Sequence, residues 1–319
     1  MVRFYTLFLL LLFWAMVAPV WGETEQERLL KYGDFYYKKR QLSKALSYYD
    51  RAVKGASSKD IAYFKRGMAH NMLDHLDAAL ADFNVAIRLN PTMSDAYAWR
   101  GENYSDMGQF EKAVADFNRA MKMPKPNRAL ILRRRCAART ALGNLDGAIA
   151  DATRAIGIYE RRIAKRATQG DRAPTKNIDL AKLYQLRGNI YYNRREYTKA
   201  VADFTSCINY GFTSDQILDL RARANAADGK VEAAIADYDL TLKLNPRDDS
   251  AYAQRGKLFL KLGKTDRAVA DLTRAIELYP GENTSRLYLL RADAYKKKGD
   301  LRSEKADRQK ASSIRKSYF

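Results

Sequence analysis

Arginine and aspartate recur along this 319-residue chain at a fixed separation. In seven segments an arginine is followed sixteen residues later by an aspartate, and the two side chains could form a bidentate ion pair. We predict that each pair links two neighbouring helices. A ladder of arginines that lines a groove for an anionic ligand stays open as the alternative. The pairs are Arg66 and Asp82, Arg100 and Asp116, Arg135 and Asp151, Arg187 and Asp203, Arg221 and Asp237, Arg255 and Asp271, and Arg291 and Asp307.

Other residues that could do chemistry are few or scattered. The two histidines, His70 and His75, have no partners at zinc-ligand spacing, and the sequence contains no nucleophile elbow or phosphate-binding glycine loop. Carboxylates are plentiful but form no recognisable pair of general acid and general base. We therefore predict that the protein is not an enzyme and has no catalytic, cofactor or metal site.

The elements that would position the arginines and aspartates form a repeat of 34 residues. For example, Gly67 and Phe83 of the second unit recur as Gly101 and Phe117 of the third. The first unit has tyrosines where the others have the arginine and the aspartate. The eight units of this register occupy 26–59, 60–93, 94–127, 129–162, 181–214, 215–248, 249–282 and, more loosely, 285–318.

Each unit carries two apolar stripes at helical spacing, separated by a glycine or a polar turn. This pattern predicts two short antiparallel helices. Small residues at fixed places let the two helices approach closely, and aromatic residues supply bulk at their contact. Cys136 and Cys207 take such small places, so we expect both to be buried thiols without a disulfide.

These residues resemble the tetratricopeptide repeat family, whose motif has an aromatic residue, a small residue, Tyr, Ala, Phe, Ala and Pro at the places described. The resemblance implies an all-α fold, an α-solenoid in which about eight helix-turn-helix units form a right-handed superhelix. It also implies a concave groove lined by the first helices. Proteins of this family bind peptides or proteins there and very seldom catalyse a reaction.

The resemblance also indicates which side chains would line the groove, since the family uses the second, fifth, ninth, twelfth and thirteenth places of the first helices. The Lys and Asn constellation with which some relatives hold a terminal carboxylate is not reproduced, which argues against such peptide ends as ligands. The candidate groove residues are Arg133, Lys182, Gln185, Asn189, Tyr192, Arg223 and Lys257.

Residues 1–22 have the layout of a secretory signal peptide, with Arg3, an apolar run and small residues before Glu23. We expect cleavage after Gly22, and an uncleaved N-terminal anchor stays open. The solenoid would then occupy 23–319, in the periplasm or outside the cell.

The formal net charge of +20 favours contact with anionic partners, although a solvated surface is the simpler reading. Most of the excess lies in 122–199, which holds 19 basic and 6 acidic residues and surrounds a basic insertion at about 163–180.

The sequence favours an exported adaptor or scaffold that binds a protein or peptide in its groove. One alternative is binding of an anionic envelope polymer or membrane surface through the basic middle segment, and another is a non-catalytic accessory subunit of an envelope assembly. The export signal argues against nucleic acid as a partner.

Overall fold

A computed structural model describes residues 24–55, 59–169, 176–279 and 284–317. The predicted signal peptide and part of the basic insertion lie outside these residues. All regular structure in the described ranges is α-helical. In the same ranges, no helix is both long enough and apolar enough to cross a membrane.

Sixteen helices follow one another within the described residues and correspond in order to the first and second helices of the predicted units. They are α1 (Glu25–Lys38), α2 (Leu42–Ala52), α3 (Lys59–Met72), α4 (Leu76–Leu89), α5 (Ser94–Asp106), α6 (Phe110–Lys122), α7 (Arg128–Ala141), α8 (Leu145–Thr168), α9 (Ile178–Asn193), α10 (Tyr197–Asn209), α11 (Asp215–Ala227), α12 (Val231–Leu244), α13 (Asp249–Lys261), α14 (Thr265–Leu278), α15 (Thr284–Lys298) and α16 (Leu301–Ser317).

The chain divides into two compact units between Gly143 and Asn144. The first unit contains α1 to α7 and the second contains α8 to α16. Within each unit every helix packs against the next one along the chain, so that helical hairpins lie side by side. This arrangement confirms the all-α, α-solenoid fold class. The division falls between α7 and α8, the two helices of the predicted fourth hairpin.

Close approach of the paired helices depends on the small residues of the repeat. A Cβ atom added to Gly101 of α5 would lie 2.8 Å from the ring of Phe117 on α6, which is too close for carbon atoms. Phe117 is fully buried beneath this glycine. The glycine therefore permits an aromatic ring to fill the space between the helices.

The fifteenth residue of each hairpin has a positive φ angle. Glycine takes this place in five hairpins, for instance Gly108 at +72°. Arg40, Asp74 and Arg195 adopt the same conformation at 59°, 62° and 63°. A side chain in this region costs about 1 to 2 kcal/mol, so the repeat geometry imposes the turn even where the sequence lacks glycine.

The basic insertion begins as an extension of a helix. Helix α8 has 24 residues and continues to Thr168, well past the end of the predicted fourth unit at 162. Helix α9 starts at Ile178, three residues before the predicted fifth unit. The residues between 169 and 176 lie outside the described part of the chain.

Candidate functional site

The structure brings six of the seven predicted arginine and aspartate pairs into bidentate contact. In each of these pairs Nε and Nη2 of the arginine donate to the carboxylate of the aspartate, at distances between 2.6 and 3.2 Å. The carboxylates are buried, as Asp116 shows with 3% exposure of its side chain. Each contact joins the first helix of a hairpin to the second. The six pairs begin at Arg66, Arg100, Arg187, Arg221, Arg255 and Arg291.

A further hydrogen bond of all seven repeat arginines, Arg135 included, reaches the preceding hairpin. Nη1 donates to an Asp, Asn or Thr at the twenty-fifth place of the unit before it, at 2.5 to 3.3 Å. Because each of the six bidentate guanidinium groups thereby joins three helices, it fixes the register between hairpins as well as within them. The acceptors along the chain are Asp50, Asn84, Asn118, Thr153, Thr205, Asp239 and Thr273.

The remaining predicted pair is divided between the two compact units. Arg135 lies in the first unit, is 8% exposed and donates to Asn118 at 2.5 Å. Asp151 is fully buried in the second unit. Both residues therefore occupy buried places like those of the other six pairs.

The first hairpin has no such ion pair and uses aromatic packing at the same two places. The rings of Tyr32 and Tyr48 lie 5.5 Å apart, and Tyr48 also stacks on Tyr36 at 5.4 Å. This contact links α1 to α2 where the later hairpins use arginine and aspartate.

Among the described residues, aromatic rings of the same helix lie near five of the six bidentate arginines, Arg221 being the exception. The guanidinium of Arg100 lies 5.6 Å from the ring of Tyr97 and 5.9 Å from that of Tyr104. The hydrogen bonds that Arg66 donates to the Asp82 carboxylate raise the pKa of Arg66. The acceptors and rings around these guanidinium groups hold them within the protein, so a role in anchoring hairpins fits the geometry better than a role in binding a ligand.

The candidate groove residues lie on first helices of both compact units. Arg133 is on α7 of the first unit, whereas the other six are on α9, α11 and α13 of the second. Arg223 pairs with Asp219 on its own helix at 2.5 Å, and Tyr192 meets the ring of Tyr197 at 5.5 Å. Lys182 is exposed, and Gln185 and Asn189 are half-buried on the same helix as Tyr192.

Lys257 lies in a cavity of about 520 Å³ between α13 and α15. The cavity is lined by the cations Lys257, Arg286 and Arg315, by the single carboxylate of Asp249, and by polar and apolar side chains. Burial and the neighbouring charge of Arg286 lower the pKa of Lys257. An excess of positive charge in a partly enclosed cavity favours an anionic group of a ligand.

A second buried arginine in the first unit was missed by the sequence analysis. The side chain of Arg134 on α7 retains 10% exposure, and its guanidinium lies 4.6 Å from the ring of Trp99 on α5. Its Nε atom is 3.1 Å from Oε2 of Glu102. Arg134 directly precedes Arg135, the arginine of the repeat. Within the run of three arginines at 133–135, nothing in the sequence distinguishes it as a buried residue.

The extension of α8 carries a basic cavity. Tyr159, Arg162, Lys165 and Arg166 line it, together with Ile163, Gln169 and Asn177, and its volume is about 480 Å³. The guanidinium of Arg162 lies 5.8 Å from the ring of Tyr159. All three cations are exposed.

The histidines and cysteines occupy separate places. His70 and His75 approach each other, with their Nδ1 atoms 3.5 Å apart, and burial lowers the pKa of His70. Cys136 and Cys207 are buried, and neither forms a disulfide bond. No group of three or more residues suited to holding a metal ion occurs in the described ranges.

The hairpin geometry defines an α-solenoid, and comparison with known families gives the repeat its name. Two tetratricopeptide repeat models match the sequence, one over residues 31–94 and the other over 94–127, 181–210 and 249–282. The chain is therefore built from tetratricopeptide repeats. A comparison with curated proteins found no match to the sequence.

Solved structures of repeat proteins share this fold at low sequence identity. The C-terminal part of a tetratricopeptide repeat protein from Cytophaga hutchinsonii is 19% identical, with a TM-score of 0.61 over 79% of this chain and 95% of that one. A tetratricopeptide repeat protein from Parabacteroides merdae is also 19% identical, with a TM-score of 0.52 over 83% and 98%. PilW, a type IV pilus biogenesis factor, is 14% identical, with a TM-score of 0.58 over 70% and 96%.

Proposed function

We propose that this protein is an exported adaptor that holds a segment of a protein partner against the first helices of its hairpins. Tetratricopeptide repeat proteins are in general scaffolds for protein contacts, and the described residues contain a cavity on that face. Each compact unit supplies an ordered surface by itself, because arginines within it are bonded to the hairpin before their own.

The observation that carries the proposal is the cavity beside Lys257. Its three cations outnumber its one carboxylate, and Leu287 and Leu290 add apolar surface. A peptide that combines acidic and apolar side chains would complement both features. We therefore propose that the segment bound in the second compact unit is acidic and partly apolar.

A random dodecapeptide display library, panned on the immobilised full chain, tests this proposal. We expect enriched peptides to carry acidic and apolar residues and to lose binding to the double variant Lys257→Glu, Arg286→Glu. The matched control is Lys243→Glu, Lys310→Glu, which makes the same charge change at exposed places on the second helices α12 and α16. Failure to enrich any peptide would overturn the groove proposal, and equal loss in both variants would reduce it to a general effect of charge.

The basic cavity on α8 supports a second candidate function, binding of an anionic envelope polymer or membrane surface. Polyglutamate and vesicles of anionic lipid are suitable probes. We expect such binding to weaken steeply as salt concentration rises, because exposed charges are screened, and to be lost in Arg162→Glu, Arg166→Glu. Binding that is unchanged by salt and by this variant would rule the cavity out as the site.

A role as a non-catalytic accessory subunit of an envelope assembly is an alternative within the same proposal. PilW is a pilus biogenesis factor, but at 14% identity it shares only the fold with this chain. Co-purification from envelope fractions, followed by mass spectrometry, would identify such an assembly.

Export rests on the N-terminal sequence. We expect the exported protein to begin at Glu23, which the intact mass would show after expression in a bacterial host and isolation from the periplasm. The full-length mass in the membrane fraction would instead support an uncleaved anchor. The full-length mass in the cytoplasm alone would overturn the proposal of export.

A further inference from the structure

The two histidines of the chain, His70 and His75, lie side by side. Their Nδ1 atoms are 3.5 Å apart while their ring centres are 5.7 Å apart, so these nitrogens lie on the facing edges of the rings. His75 is exposed and His70 is half-buried, and an ion from solvent can therefore reach the pair. Two imidazole nitrogens in this arrangement can share a hydrogen bond or bind one metal ion.

We propose that His70 and His75 bind one zinc ion through their Nδ1 atoms, with water or a group of a bound partner at the remaining positions. Zinc lies about 2.0 to 2.1 Å from imidazole nitrogen. An ion at that distance from two atoms 3.5 Å apart makes an angle of about 117° with them, close to the tetrahedral value of about 109°. This inference goes beyond the proposed function and does not depend on it.

The turn between α3 and α4 brings the two rings together. Residues five apart on one continuous helix point about 140° away from each other, because each residue advances the helix by about 100°. Here Asp74 has a φ angle of 62° and the chain reverses, so that the His75 N–H donates to the His70 carbonyl at 2.9 Å. Spacing in the sequence therefore does not reveal the pair.

The charge around the histidines favours a cation. Apart from the other histidine, three charged side chains act on His70, namely Arg66, Asp82 and Asp50, which leaves a balance of one negative charge. Arg66 donates to both carboxylates at 2.7 to 3.1 Å. No lysine or arginine occurs between Arg66 and Arg88, although the chain as a whole carries a net charge of +20.

The second hairpin also lacks a cation that other hairpins place over the ring at their eleventh position, which His70 takes here. In those hairpins a lysine or arginine at the nineteenth position lies over an aromatic ring, whereas the second hairpin has Ala78 at that position. A lysine there would repel a metal ion bound to His70. The pairs in the other hairpins are Lys44 over Tyr36, Lys112 over Tyr104, Lys199 over Tyr191 and Arg267 over Phe259, at 5.4 to 5.7 Å.

Calorimetric titration of the untagged full chain with zinc chloride, at about pH 8 where histidine of ordinary pKa is neutral, provides the test. We expect one zinc ion per chain. The double variant His70→Tyr, His75→Gln should lose this site, and it should fold because the third hairpin has Tyr104 and Gln109 at the same positions. Magnesium chloride is the control ion and should not bind at the pair, since magnesium prefers oxygen ligands.

Nuclear magnetic resonance of the unaltered protein identifies the atoms that bind zinc. Because the chain contains two histidines, the imidazole nitrogens give few signals. We expect zinc to shift the Nδ1 signals of both residues. This measurement decides the question even if the double variant fails to fold.

A change that leaves both histidines in place tests the role of charge. Ala78→Lys should restore the cation of the other hairpins and weaken zinc binding about 10-fold or more. The matched control is Ala233→Lys, the same substitution at the exposed nineteenth position of the sixth hairpin, and it should leave zinc binding unchanged.

Three results would overturn the inference. They are the absence of zinc binding by the unaltered protein, equal binding by the double variant, and binding that leaves both imidazoles unshifted. Equal binding would assign the zinc to carboxylates or thiols, and the histidines would then form only a hydrogen bond with each other. None of these results affects the selection of peptides that tests the groove, so the two proposals fail separately.

Discussion

Arg100 holds Asp116 through two hydrogen bonds, from Nε at 2.6 Å and from Nη2 at 2.9 Å, and thereby joins α5 to α6. Its remaining nitrogen, Nη1, donates to Asn84 of the preceding hairpin at 2.7 Å. The same arrangement recurs in other hairpins: the arginine donates to an acceptor in the preceding hairpin and to a carboxylate on the second helix of its own hairpin. Since each repeat of a solenoid contacts only its neighbours, contacts of this kind determine how strongly neighbouring hairpins are coupled.

Removing the carboxylate should destabilise the third hairpin. Asp116→Ala leaves the guanidinium of Arg100 largely buried without its counter-charge, which should cost about 3 to 5 kcal/mol of local unfolding free energy. Native-state hydrogen exchange of the amides in α5 and α6 measures this loss directly. Asp95→Ala, an exposed change on α5, is the control and should cost less than about 1 kcal/mol. Equal effects of the two changes would contradict the expectation.

The hydrogen bond from Arg100 to Asn84 of the preceding hairpin should make its own contribution to the unfolding free energy. Asn84→Ala removes the acceptor of Arg100 Nη1 and, because Asn84 is exposed to solvent, should cost about 0.5 to 1.5 kcal/mol, the usual net contribution of a hydrogen bond. The loss should appear as faster hydrogen exchange in α4 and α5 together.

Gln309 supplies a matched control for Asn84. It occupies the twenty-fifth place of the last predicted unit and is exposed. Gln309→Ala should therefore change the unfolding free energy by no more than about 0.5 kcal/mol. A cost for Asn84→Ala as small as that for Gln309→Ala would show that the twenty-fifth place does not couple the hairpins.

The close approach of α5 and α6 predicts opposite effects for the same substitution at two glycines. Gly101→Ala places a Cβ atom 2.8 Å from the ring of Phe117 and should destabilise the protein by about 1 to 3 kcal/mol. Gly157→Ala on α8 meets only the Arg161 side chain at 3.5 Å, so the higher helix propensity of alanine should add about 0.5 to 1 kcal/mol. Denaturant midpoints of the two variants compare these effects.

A second substitution tests the reason for the first effect. In the seventh hairpin the residue opposite Gly256 is Leu272. A Cβ atom added to Gly256 would lie 3.0 Å from Cγ of Leu272. Phe117→Leu should therefore recover part of the stability lost in Gly101→Ala. An additive loss in the double variant would show that contact with the Phe117 ring is not the cause.

The repeat and its small residues could be predicted from sequence because they recur in one register, and the structure confirms the fold class. The acceptors at the twenty-fifth place were harder to recognise. Asp, Asn and Thr differ in type, and they share only an oxygen that accepts a hydrogen bond. Similarly, Arg40 gives no sign in the sequence of its positive φ angle, which the geometry of the neighbouring repeats imposes.

The buried Arg134 had no periodic signal at all. It lies beside the repeat arginine of its hairpin, and its contact with Trp99 depends on the packing of two different hairpins. Periodicity identifies the residues that every repeat shares. Residues that distinguish the groove of one repeat protein from that of another do not recur from repeat to repeat, so periodicity does not identify them.

The burial of Cys207 predicts a dependence of stability on pH. Burial raises the pKa of its thiol to about 11, whereas the thiol of an unfolded chain ionises at about 8.5. The folded state therefore keeps its proton while the unfolded state loses it. The thiol's contribution to stability is fully present below about pH 8.5 and is lost as pH rises toward about 11, by about 1.4 kcal/mol for each unit of difference in pKa.

Comparison with Cys207→Ala isolates this contribution, because tyrosines, lysines and Cys136 titrate alike in both proteins. The unfolding free energy of the unaltered protein should fall relative to that of the variant between about pH 8.5 and about pH 11, measured by urea unfolding at each pH. If the difference in unfolding free energy between the two proteins stays constant over this pH range, the Cys207 thiol is reached by solvent. In that case iodoacetamide should also modify Cys207 in the folded protein at pH 8, whereas a buried neutral thiol should resist it.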